Sequence, residues 1–371
     1  MNMRRRHFLQ ASTALAIGGL TGAAGASVTP ARRPLRILIL GGTRFLGLHM
    51  TQYALDRGHW LTFFNRGRTN NDRFPQIERI KGDRNGEVGG LAGRNWDAVI
   101  DNSGYVPRHV RLSAQLLRAS VPHYLFVSTL SVYASFASAN DEDSPVGKLA
   151  EPATETVDGA TYGPLKALCE DAARDAYGAG NTTILRPGLI VGPDDNTDRF
   201  TYWPARAARG GRFIAPGKPS DPLQWIDARD LAAFAIDTLE RRVTGTFNAV
   251  SAPGRFTMGG LVDASVAAAK ASVGPKDAPQ PVWLPSEFLA AQQVQPWSDM
   301  PVWVPSEGDS AGFAATRMQR AAVAGLNIRA LDDTVRDTLR WHLARPAAEQ
   351  TTLKAGIAPV RETEVLAAWK P

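Results

Sequence analysis

The sequence predicts an α/β fold, a doubly wound parallel sheet with a smaller discontinuous C-terminal cap, on three observations. Short apolar runs alternate with helical stretches through the first half of the 371-residue chain. That rhythm calls for parallel strands joined by crossover helices. The first apolar run ends in Gly41 and Gly42 and passes directly into a helical stretch. The rhythm then breaks after about residue 193 and again over 252–312, where Pro, Gly, Arg and aromatic residues crowd together.

Taken in order, residues 35–40 read as a buried strand, 47–57 as a helix and 60–64 as a second strand. A third strand ends at Lys81-Gly82-Asp83, and 96–100 and 124–128 are further apolar runs flanking a helix over 107–119. Residues 182–185 and 246–249 read as later strands, and the sheet pattern returns briefly over 225–239. The organisation predicted is a sheet domain over 35–193 and 224–250, and a substrate-binding cap over 194–223 and 251–345. A tail follows over 346–371.

Residues 1–26 carry Arg4-Arg5-Arg6, an apolar stretch over 11–20 and Ala24-Gly25-Ala26. A basic head, a short apolar middle and a small-residue cleavage site are the three parts of an export signal. Arg5-Arg6-His7-Phe8-Leu9 resembles the twin-arginine class, which exports folded proteins. The expectation is therefore twin-arginine export, cleavage near Ala26, a linker over 27–34 and a periplasmic location. The apolar stretch is too short for a bilayer about 30 Å thick, and no stable membrane span is expected. Removing the three head arginines lowers the formal charge from +6 to +3, so nucleic acid is not an expected partner. Cys169 is the single cysteine, which leaves no intramolecular disulfide and reads as a small buried side chain. The six scattered histidines form no ligand pattern, and no metal is expected.

The loop Leu40-Gly41-Gly42-Thr43-Arg44-Phe45-Leu46-Gly47 joins strand to helix. That context aims free amides and the positive helix end at a pyrophosphate, as in Rossmann-type dinucleotide sites. Arg44 replaces the usual middle glycine and is read as a phosphate clamp. The second strand ends in Asn65-Arg66-Gly67-Arg68, without the acidic residue that holds a ribose 2′-hydroxyl. Two arginines suit a 2′-phosphate, so NADP is the preferred cofactor and NAD the other possibility. Asp83 is placed to accept from the adenine amine.

Tyr162-Gly163-Pro164-Leu165-Lys166 puts a phenol and an ammonium one helical turn apart. A cation there lowers a phenol pKa toward neutrality, which suits proton exchange with a hydroxyl. Upstream, Ser128, Thr129 and Ser131 end a strand where α/β active sites lie. Together with Leu185-Arg186-Pro187-Gly188 and Gln224-Trp225-Ile226-Asp227, these motifs resemble the extended short-chain dehydrogenase/reductase superfamily, the NAD-dependent epimerase/dehydratase group. The resemblance spans roughly 35–345, and its glycine loop looks like the atypical branch that includes the chloroplast stem-loop-binding proteins.

The resemblance implies that Tyr162 is the acid/base, that Lys166 orients the nicotinamide ribose, and that Thr129 is the hydroxyl bonded to the substrate oxygen. Ser128 and Ser131 compete for that last role. It adds Thr43, Phe45, Leu46, Ser103 and Pro187 to the cofactor-binding set. Family dehydratases carry an Asp-Glu pair after this hydroxyl, whereas here Leu130 and Ser131 follow it, which speaks against water elimination. On the substrate side Arg199, Tyr202 and Trp203 are candidates for a polar, ring-bearing molecule, with Trp297 and Trp303 offering aromatic faces from the cap.

The function expected is epimerisation by hydride transfer at a carbinol of a sugar-like or other polar small molecule, with no net redox change. Such a cycle suits a compartment that cannot regenerate the cofactor. A net NADPH-dependent reductase is the second possibility, a non-catalytic nucleotide- or RNA-binding protein the third, and a homodimer is possible.

Overall fold

The computed structural model describes residues 28–274 and 276–370; the export signal expected over 1–26 lies outside the described residues. The chain begins β1 (Arg36–Leu40), α1 (Leu46–Asp56), β2 (Trp60–Asn65), β3 (Glu78–Lys81), β4 (Ala98–Asp101), α2 (Pro107–Leu117) and β5 (Tyr124–Val127). It continues with α3 (Tyr162–Tyr177), β6 (Thr182–Pro187), β7 (Leu189–Val191), α4 (Tyr202–Ala208), β8 (Arg212–Pro216), β9 (Pro222–Leu223) and β10 (Trp225–Asp227). Then come α5 (Ala228–Glu240), β11 (Gly245–Ala249), β12 (Phe256–Thr257), α6 (Met258–Ser272) and β13 (Gln280–Leu284). The last helices are α7 (Ser286–Ala291), α8 (Gln319–Val323), α9 (Leu331–Leu343), α10 (Ala347–Thr351) and α11 (Pro359–Ala368).

Seven strands form one sheet in the order β11-β6-β5-β4-β1-β2-β3, and every neighbouring pair is parallel. Ile37, Leu38, Ile39 and Leu40 are all fully buried, because helices cover both faces of the central strand. The strand order reverses between β1 and β4, and the crevice beyond their C-terminal ends is where such sheets bind ligands.

The cap has its own core around Phe200, Trp203, Trp225, Phe256 and Trp303. Trp225 and Phe256 stack with centroids 4.2 Å apart, and the short strands β8 and β13 pair in parallel. Two boundaries differ from the expectation. Residues 346–371 are not a tail: α11 buries Val365 and Leu366 in the cap core, and Glu362 accepts from Arg206 Nε at 2.6 Å. The segment leading through α8 was expected in the cap, but Met318, Ala321 and Leu326 pack into the core of the sheet domain.

The long connection from Tyr133 to Tyr162 is tied down by charge. Arg186 donates from Nε and Nη2 to Glu170 at 2.9 and 2.7 Å and from Nη1 to the Glu142 carbonyl at 3.2 Å. The Glu142 carboxylate in turn accepts from the Asn248 amide at 2.9 Å.

Candidate active site

At the end of β5 the backbone leaves the sheet, and a single turn over Leu130–Val132 follows. The Thr129 hydroxyl caps that turn, accepting from the Ser131 amide at 3.1 Å and donating to Ser131 Oγ at 3.2 Å. Helix α3 starts against this turn. A Cβ on Gly163 would sit 2.0 Å from the Ser131 carbonyl oxygen, so the approach requires glycine. The contact brings the Tyr162 phenol to the Thr129 hydroxyl. Burial raises the phenol above its ordinary pKa, while Thr129 and the Arg199 guanidinium pull it back down. Of the competing hydroxyls, Ser131 is exposed and Ser128 is buried.

Lys166, one turn further along α3, is almost fully buried. Its ammonium donates to the Gly104 and Val127 carbonyls at 2.7 and 2.6 Å and lies 4.0 Å from the centroid of the Phe126 ring. The cation that pulls against the raised Tyr162 pKa is Arg199, whereas Lys166, expected in that role, is turned onto two strand-end carbonyls. Burial lowers Lys166 itself to about 8. Its ammonium therefore loses its proton as pH rises through that range, and turnover should show an alkaline limb with an apparent pKa near 8. Lys166→Arg, which stays charged throughout, should move the limb upward in a pH–rate profile. An unmoved limb would assign it to another group.

Sequence reasoning missed Tyr105. Its ring lies 6.3 Å from that of Tyr162 and 5.4 Å from the Lys166 ammonium, and it is 47% exposed. An aromatic residue just past the C-terminal end of β4 is the signal that marks it.

The cofactor end is a cradle made by missing side chains. Gly41 and Gly42 adopt φ of 109° and 85°. A Cβ on Gly41 would meet Asn102 Oδ1 at 2.4 Å, and one on Gly47 would meet the Gly42 backbone at 2.7 Å. Among the described residues the amides of Thr43 and Arg44 have no backbone acceptor. The α1 N-terminus, behind Phe45 and Leu46, has neither a side-chain cap nor an acidic first turn. These features fit a pyrophosphate. Arg44 points outward, exposed.

Asn65 is held at both ends, donating to the Gly41 carbonyl at 3.2 Å and accepting from the Gly67 amide at 2.9 Å. It shapes the loop, while the neighbouring Arg66 and Arg68 stand exposed. Asp83 accepts from the Asn85 amide at 3.0 Å. Ser103 Oγ donates to the Leu40 carbonyl at 2.8 Å, and Pro187 ends β6. A nicotinamide dinucleotide fits the arrangement: glycine cradle for its phosphates, arginines beyond β2, and Lys166 with Tyr162 at the catalytic end.

On the substrate side the structure brings Arg199, but not Tyr202 or Trp203, near enough to the Tyr162 phenol to act on it electrostatically. Tyr202 and Trp203 are 1% and 0% exposed in the cap core, and Trp203 Nε1 donates to the Pro301 carbonyl at 2.8 Å. Trp303 is likewise buried and donates to Asp221 at 2.8 Å. Trp297 stays partly exposed, and the Arg199 guanidinium lies 5.4 Å from its ring centroid. Among the described residues no His, Cys, Asp and Glu cluster could hold a metal ion, and no helix is long and apolar enough to cross a membrane.

Residues 37–249 match the model of the NAD dependent epimerase/dehydratase family. Over 239 residues the chain is 28% identical to epimerase family protein SDR39U1 of Bos taurus, covering 58% of this chain and 74% of that protein. It is 27% identical over 261 residues to the chloroplast stem-loop binding protein of 41 kDa b of Arabidopsis thaliana, covering 65% of each. A crystal structure of UDP-glucose 4-epimerase superposes with a TM-score of 0.61 at 15% identity, covering 84% of this chain and 98% of that one. Human SDR39U1 with NADPH superposes with a TM-score of 0.52 at 22% identity, covering 82% and 99%.

Proposed function

The chain belongs to the NAD dependent epimerase/dehydratase family, and from that premise we propose that it is an NADP(H)-dependent oxidoreductase that epimerises a carbinol of a polar, sugar-like small molecule. The observation that carries this reading is the close packing of the start of α3 on the Leu130–Val132 turn, which puts the Tyr162 phenol by the Thr129 hydroxyl one helical turn from the buried Lys166.

When bound, a nicotinamide dinucleotide supplies the acceptor and donor of a hydride. The rest is done by the chain. Thr129 hydrogen-bonds the substrate oxygen and fixes which carbinol faces the cleft. Tyr162 takes the hydroxyl proton as that carbon becomes a carbonyl and returns it when the carbinol re-forms. Arg199 and Thr129 partly counter the burial that raises the pKa of this phenol. Lys166, whose ammonium donates to the Gly104 and Val127 carbonyls, would hold a ribose hydroxyl of the dinucleotide. Leu130 and Ser131 stand where water elimination would need an acid and a base. A redox-neutral cycle also matches our reading of 1–26 as an export signal, because it needs no outside supply of reduced cofactor.

The test is made on protein as purified. Denaturation should release a nicotinamide dinucleotide, and turnover should proceed with none added and no net change in nicotinamide absorbance. Steady consumption of added NADPH would assign a net reductase instead. NADP is preferred because Arg66 and Arg68 are exposed just past β2, where they would suit a ribose 2′-phosphate, and one solved relative was crystallised with NADPH. Arg66→Ala should weaken NADP binding by about tenfold or more, a lost charge-assisted contact, and leave NAD nearly unchanged. Equal losses in a titration of both would remove the 2′-phosphate role.

A further inference from the structure

Arg199 has an unusual position for a guanidinium. It is only partly exposed, and burial lowers its pKa. Its Nε donates to Thr197 Oγ1 at 3.1 Å, and that hydroxyl donates to Asp195 Oδ1 at 2.6 Å. Thr197 thus stands between the cation and the carboxylate. Asp195 is fully buried, burial raises its pKa, and its Oδ2 has no partner. The relay fixes Nε and the plane of the guanidinium, and Trp297 packs against it. The two Nη groups are left without an acceptor among the described residues. A desolvated charge with an open fork is costly to a fold, and a bidentate anion offsets that cost. The same guanidinium is close enough to influence the Tyr162 phenol electrostatically.

Resting on the oxidoreductase reading above, we propose that the open Nη pair of Arg199, held between Thr197 and Trp297, binds a carboxylate or phosphate group of the substrate beside the carbinol that Tyr162 serves. The substrate is then an anionic polar molecule. Trp297 continues as a row of aromatic rings through Phe313, whose ring lies 5.5 Å from its own, to Phe136, a further 5.5 Å away.

The proposal is tested by isothermal titration of the purified protein, bound dinucleotide included, with glucuronate, glucose 6-phosphate and glucose. Both anionic sugars, or one of them, should bind about tenfold or more tightly than glucose, and which anion binds better identifies the group. Arg199→Ala should abolish that preference, and Arg199→Lys should restore part of it, each variant being shown folded by a cooperative thermal transition. Glucose binding as tightly as the anions, neither anion binding, or a preference that survives Arg199→Ala would each overturn it. Because the readout is binding, protein that releases no dinucleotide yet keeps an Arg199-dependent preference would refute the oxidoreductase reading alone.

Discussion

Tyr162→Phe should lower turnover by about 10²–10⁴-fold, the usual worth of a positioned acid/base, while the purified variant releases as much dinucleotide as the parent. The ring keeps its packing in this variant and only the exchangeable proton is lost. The informative comparison is Tyr105→Phe, because that phenol is the neighbour at 6.3 Å between ring centroids. If Tyr162→Phe retained activity and Tyr105→Phe lost it, the proton would move through the phenol at the end of β4. Activity surviving in both would place the acid/base outside this pair.

Gly163→Ala should be nearly as damaging, against local propensity. In a helix interior alanine is better than glycine by about 1 kcal/mol. Here the added Cβ falls 2.0 Å from the Ser131 carbonyl oxygen, so α3 or the Leu130–Val132 turn must move by about an ångström. Either movement separates Tyr162 from Thr129. Turnover should fall about 10²-fold, the cost of a misplacement of that size, and stability by about 1–3 kcal/mol. Gly159→Ala is the control, since nothing lies within 4 Å of a Cβ there. Steady-state kinetics and thermal melts of the two variants decide the matter. Equal behaviour would mean that the turn yields without disturbing the site.

The sheet was legible because its strands are buried on both faces and so read as unbroken apolar runs. The run at 35–40 lies on β1 and that at 124–128 on β5, each within about a residue of the observed bounds, while 246–249, which carries Thr246 and Asn248, lies on the edge strand β11. The edge strand β3 shows only Ile80 buried and no such run; the Gly-Asp after it marks its end instead. The two boundary errors have one cause. α8 and α11 are short, and which core they join is decided by contacts far along the chain.

In the site, residue types and spacings pointed to the phenol, the ammonium and the glycine cradle. Orientation was beyond reach. Nothing local says that the seven-residue α4 buries both Tyr202 and Trp203, because a short helix buried on all sides shows no periodicity. Nor does Asn65 announce that both ends of its side chain are taken. The Arg199–Trp297 contact joins residues far apart in sequence and needed the fold to reveal it.

The loop from Gly192 to Arg199 is anchored at both ends. His49 of α1 bonds the Pro193 carbonyl at 2.9 Å, and buried Asp198 accepts from Arg345 at 2.6 Å and from the Lys354 amide at 3.1 Å. One anchor is the helix that opens the cofactor cradle; the other lies in the cap, beyond α9. Between them Asn196 is exposed. A change at Asn196 can therefore alter what this stretch presents to solvent without disturbing the Thr129 hydroxyl after β5 or the Tyr162 phenol and Lys166 ammonium on α3.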